Sequence, residues 1–188
     1  MRRVGLTAVG VLALGGLIAV ARVVVRAKLE AAQVALFDDI RAFAMAEAKY
    51  ADQNEGFYAD PGCLVAPQRC WIGASAPPSL LDVGVASLVE RGGYKRSFHP
   101  GKRPAQHKVK RSTASTSVLD FAYVAIPTGH IRSLAKAFRF TCDSLCYDSA
   151  GGFVCVHNKM PPVVDGTCPV DKGCEIISEL YVWSGRCS

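Results

Sequence analysis

The chain has 188 residues, half of them apolar, with 22 Lys and Arg against 16 Asp and Glu, and eight cysteines. That length holds one domain with a real core beside a hydrophobic N-terminal segment and excludes two ordinary domains. The net charge of +6 is local: eight basic residues and no acidic one lie between Arg91 and Leu119, and without them 14 Lys and Arg face 16 acidic residues, which excludes a uniformly basic protein.

Val4 to Ala21 is an uncharged, mostly apolar run preceded by Arg2 and Arg3. It sits at the short end of what crosses a hydrocarbon core of roughly 30 Å. The paired arginines favour a cytoplasmic N-terminus with the downstream domain outside. Ala19-Val20-Ala21 also has the small-x-small pattern of a signal-peptidase site, so release after Ala21 competes with permanent anchoring. Beyond Arg26, the residues Leu29, Ala32, Leu36, Ile40, Phe43, Ala46 and Tyr50 recur at the spacing of an amphipathic helix. No proline or glycine lies between Leu17 and Asn54, so nothing separates the apolar half from the amphipathic half. The pattern predicts one helix from about residue 6 to about residue 52, on the order of 70 Å long. The chain then divides into a membrane segment or leader (1–25), the amphipathic half of the same helix (26–52) and an extracytoplasmic head (53–188).

The head begins with a proline-rich loop, Gly56 to Pro78, in which Cys63 and Cys70 bracket a short stretch that a disulfide would close. Phe121 to Pro127 reads as a buried strand, and Ala137–Thr141 with Gly152–Val156 as a hairpin through "DSLCYDSAGG". That hairpin would set Cys142 opposite Cys155. Cys168, Cys174 and Cys187 mark a C-terminal lobe with one more strand, Glu175 to Trp183. All eight cysteines (Cys63, Cys70, Cys142, Cys146, Cys155, Cys168, Cys174 and Cys187) follow the apolar segment, as in a domain that oxidises its thiols outside the cytoplasm. The expected fold class is α+β, a long N-terminal helix packed on a small antiparallel sheet and stapled by disulfides.

The half-apolar, half-amphipathic helix leads into "AEAKYADQNEGFYAD" (46–60), and "PPSLLD" (77–82), "GGYKRSF" (92–98), "FAYVAIP" (121–127) and "FRFTCDSLCYDSAGGFVC" (138–155) follow. Together these resemble the type IV pilins and the pseudopilins of type II secretion systems. The resemblance implies a structural subunit of a pilus or secretion system, held in the bacterial inner membrane. Its head would face the periplasm or exterior, and its partners would be other pilin-like helices. It also implies processing between Gly5 and Leu6. Gly10 stands where the family has an acid that pairs with a neighbour's N-terminal amine, which implies an atypical or minor subunit.

Catalytic patterns are absent from the reading. Cys142-x-x-x-Cys146 with Cys155-x-His157 has zinc-like spacing, but disulfides are expected of an exported, cysteine-dense domain. There is no Cys-x-x-Cys, no nucleophile elbow around Ser149 and no phosphate-binding glycine loop, and His99, His107, His130 and His157 lack paired carboxylate spacing. No enzyme, cofactor, metal or small-molecule substrate is expected. The one candidate binding surface lies in 91–111, where Lys102, Arg103, Lys108, Lys110 and Arg111 suit a polyanion such as DNA or acidic polysaccharide. The alternative function is a secreted, disulfide-rich binding module released after Ala21, with that basic loop as its ligand surface.

Overall fold

The computed structural model describes residues 4–71, 76–105, 114–140, 142–157, 162–169 and 174–176, with the side chains of 4–14 and 174–176 outside the described set. The helix expected from the hydropathy pattern is one continuous α1, Val4–Gln53. It ends in a turn that recaptures its last carbonyls: Glu55 (φ 60) and Gly56 (φ 85) adopt left-handed backbone, and the Gly56 N–H donates to Ala51 O at 2.8 Å. Asn54, buried just beyond the helix, donates through Nδ2 to Phe57 O and to Ser117 Oγ.

Among the described residues five antiparallel strands follow in a meander, β1 (Tyr94–Pro100), β2 (Phe121–Pro127), β3 (Ser144–Asp148), β4 (Phe153–His157) and β5 (Cys174–Ile176), each paired with the next. Side chains alternate faces along a strand. The front face receives Tyr94, Arg96 and Phe98 from β1, Phe121, Tyr123 and Ala125 from β2, and Leu145, Tyr147 and Val154 from the next two strands. Against it lie Leu36, Phe37, Ile40, Phe43, Ala46 and Tyr50 of α1. Phe43 is the pivot, with ring centroids 4.8 Å from Tyr123, 5.6 Å from Phe121 and 6.0 Å from Phe98. Offset and edge-on aromatic pairs of this kind add about 0.5–1.5 kcal/mol each beyond the area they bury.

Two short helices close one end of the core. Asp60 caps α2 (Pro61–Val65) by accepting from the Gly62 N–H, and Asp82 does the same for α3 (Val83–Ala86) through Gly84. A fourth helix, α4 (Gly129–Ala137), packs Ile131 and Ala135 against Leu29 of α1, with Val25, Leu134 and Phe140 alongside. The Arg22 guanidinium sits 5.8 Å from the centre of the Phe140 ring. The seat of the head therefore reaches back to Arg22 and Val25, beyond the expected start at Leu29.

The hairpin differs from expectation. Ala137 ends α4, Arg139 turns the chain with φ 61, and the Phe140 N–H returns to Ala135 O, so 137–140 caps a helix where a strand was expected; Thr141 lies outside the described residues. The stretch expected to be the turn, "SLCYD", is itself β3. Its register places Cys146, not Cys142, opposite Cys155. The last strand is described over Cys174–Ile176, and the rest of the expected Glu175–Trp183 strand lies outside the described residues.

Candidate functional site

The long helix presents two different surfaces. From Leu29 onward one face is buried in the head, with Ile40, Phe43 and Tyr50 fully enclosed. Before it, Leu17, Ile18, Val20, Val23 and Val24 are exposed by 49–69%. Burying such side chains elsewhere gains about 1.5–3 kcal/mol each. Gly5 and Leu6 fall in the first turns of α1, and Ala21 falls in mid-helix, so each candidate cleavage point interrupts continuous helical backbone. No helix among the described residues is long and apolar enough to cross a membrane. The side chains of 4–14, most of the apolar run, lie outside that set.

The described part of the basic stretch is dispersed by the fold. Arg96 points to the front face of β1 and is 2% exposed. Its Nη1 donates to Asp39 Oδ2 of α1 at 3.2 Å, its Nη2 to Ser87 O at 2.8 Å and Gly84 O at 3.0 Å, and its Nε to Val89 O at 3.2 Å. Arg91 pairs with the other Asp39 oxygen at 3.2 Å. Desolvation outweighs the two guanidiniums and pushes the Asp39 carboxyl above its ordinary value. Among the candidate polyanion residues, Lys102 pairs with Asp165 at 3.3 Å, both well exposed. Arg103 lines a cleft of about 180 Å³ with Asp60, Phe98 and Val118. Lys108, Lys110 and Arg111, like His107, lie outside the described residues.

Arg96 lies within the basic stretch 91–111 yet is withdrawn from the surface. The signal for that is parity, because Tyr94 and Phe98 flank it at the same-face spacing of a strand.

The cysteines hold both ends of the head. Cys63 and Cys70 are bonded, as their spacing suggested, with Cα atoms 5.7 Å apart. Cys146 of β3 bonds Cys168 and brings segment 162–169 onto the back face. Cys142 and Cys155 each take part in a disulfide as well, and no described cysteine is free. Cys146 is thus committed to a disulfide and withdrawn from the zinc-like set. Under the stapled segment the back face is small and apolar: Ala122, Val124, Cys146 and Cys155 beside Phe153 and Val163. The buried Asp148 closes the β3–β4 turn by accepting from Ala150 and Gly151, and its second oxygen accepts from the Cys168 N–H at 2.7 Å.

On that back face, Lys95, Ser97 and His99 of β1 border an open cleft of about 440 Å³. Ser97 Oγ and His99 Nε2 are 2.9 Å apart, and burial pushes the imidazole below its ordinary value. The carboxyl of Glu47 is fully enclosed as well. Glu47 of α1 accepts from the Ala59 N–H at 2.9 Å through Oε2, while Oε1 has no partner among the described residues. Burial, with a smaller contribution from Asp60, pushes its carboxyl up to about 8.

No family model, curated protein or solved structure matches this chain.

Proposed function

We propose that the protein is a structural, pilin-like subunit, a minor component of a type IV pilus or type II secretion system. Its exposed apolar half-helix packs with the same half of other pilin-like subunits, in the inner membrane or a fibre. The head stands in the periplasm or outside the cell, and its role is positional rather than catalytic. One observation carries the reading: a single uninterrupted α1 whose second half is the spine of the head and whose stretch from Leu17 to Val24 projects exposed apolar side chains. A soluble binding module has no use for such a projection, whereas a subunit that assembles through its helix requires it. The disulfide bonds support folding in an oxidising compartment.

The test is the N-terminus of the mature protein, read by intact mass and terminal sequencing after cell fractionation. A chain beginning at Leu6 in the membrane or in a sheared fibre is the expected result. A soluble chain beginning at Arg22 overturns the reading and leaves the secreted module.

A further inference from the structure

The cleft on the back of β1 has two unlike walls. One is polar and comes from a strand: Lys95, Ser97 and His99 alternate onto the same side of β1. Lys95 is exposed and makes no ion pair among the described residues. The floor is apolar, from Val124 and Ile126 of β2, and the far wall is Pro162 and Val163.

That far wall is pinned at several points, so the cleft keeps its shape. The Cys146–Cys168 disulfide, the Cys168 N–H on Asp148 and the Lys102–Asp165 pair each hold segment 162–169. A fourth hold is steric. Gly166 (φ 73) lies so close to the end of β1 that a Cβ there would come 2.5 Å from Gly101 N and 2.6 Å from its Cα. Only glycine permits both that φ and that approach.

The volume falls in the range of small-ligand sites, roughly 300–1,000 Å³, which combine an apolar lining with a few placed polar groups. The polar groups here select charge. The Lys95 ammonium has three donors and no acceptor. When His99 Nε2–H donates to Ser97 Oγ, the serine hydroxyl hydrogen is left to donate into the cleft beside Lys95. Both groups then offer hydrogen to one anionic oxygen pair, with hydrocarbon behind it.

We propose that this cleft is a binding site for a carboxylate with an apolar body, its oxygens on Lys95 and Ser97 and its hydrocarbon on Ile126 and Val163. The chemistry is shared by a free short-chain acid and by a polypeptide C-terminus ending in an aliphatic residue. The site stands apart from the α1 surface and goes beyond the assembly role.

The experiment uses the full chain in phosphatidylcholine nanodiscs, with methyl resonances of Val124, Ile126 and Val163 followed by NMR. The probes are hexanoate, hexylamine, and a peptide ending in Ala-Leu as free acid or as amide. Saturable shifts with hexanoate and none with hexylamine are expected. A free-acid peptide that binds at least tenfold tighter than hexanoate and than its own amide assigns the natural source as a chain terminus, and the reverse order of affinities assigns a free acid. Lys95→Ala is expected to weaken hexanoate at least tenfold, with Lys95→Arg retaining it. Gly166→Ala, which touches no lining side chain, is expected to weaken it as well by lifting the far wall. Equal shifts with hexylamine, no saturation with either acid, or unchanged affinity in Lys95→Ala overturns the proposal. A Lys95→Ala spectrum that otherwise matches the parent separates lost binding from lost fold.

Discussion

The two faces of the sheet are held by different physics. The front face is closed by volume: Phe43 of α1 meets three aromatic rings, and a buried guanidinium ties β1 to α1 and to the α3 loop. The back face is too short of large side chains to be closed that way. Ala122, Val124, Cys146 and Cys155 are covered by a segment that a disulfide and a carboxylate cap bring down. One face thus depends on packing and buried charge, and the other on covalent closure. Breaking the Cys146–Cys168 bond should loosen the second while leaving the first.

The sharpest way to break the front face is Arg96→Ala. It strands the Asp39 carboxylate beside a single exposed guanidinium and takes the guanidinium away from the carbonyls of Gly84, Val85, Ser87 and Val89. Losing one partner of a buried pair costs about 3–5 kcal/mol, read as the drop in denaturation free energy. Arg96→Lys should recover only part, because one ammonium cannot reach both the carboxylate and the α3 carbonyls.

On the back face, Cys146→Ala with Cys168→Ala should cost about 3 kcal/mol by freeing a 22-residue loop. Hydrogen exchange should rise in 162–169 and at β4, while the amides of α1 from Leu36 to Tyr50 stay protected. Equal loss of protection on both faces would show that the faces are not independent.

Glu47 gives the front face a pH dependence of its own. Its folded value of about 8 lies above the unfolded value of 4.5. The folded chain therefore holds the proton more tightly, so this contribution is full below pH 4.5 and is lost as pH rises through about 8. The loss is on the order of 5 kcal/mol. Thermal melts from pH 5 to pH 9 should show the fall, and Glu47→Gln should flatten it. A parent protein whose melting point does not fall over that range would remove Glu47 from the account.

The smallest expected effect is Asp60→Ala. It deletes the cap on α2 and should cost about 1 kcal/mol by chemical denaturation. Cys63–Cys70 already restrains that turn.

Much of this was legible without a fold. The long helix follows from an unbroken apolar pattern, and Phe121–Pro127 is the strand β2 that its β-branched and aromatic run suggests. Cys63–Cys70 needs only a short loop. The α4 helix was less legible because it is only nine residues long, too short to be stable alone in water, and it is held by burying Ile131 and Ala135 against Leu29. The back-face cleft was invisible for a related reason: its walls, β1 and 162–163, lie more than 60 residues apart in the chain.

By itself the sequence determined the elements whose signal is periodic and local: the continuous α1 with its two unlike halves, the central strand and the near-neighbour disulfide. Only the tertiary structure decided which cysteine faces which, that Arg96 is a buried clasp and not surface charge, and that Glu47 is enclosed. Those outcomes depend on strand register and on which face a neighbour covers. A one-residue shift reverses every side chain on a strand, and no local pattern specifies the partner across it.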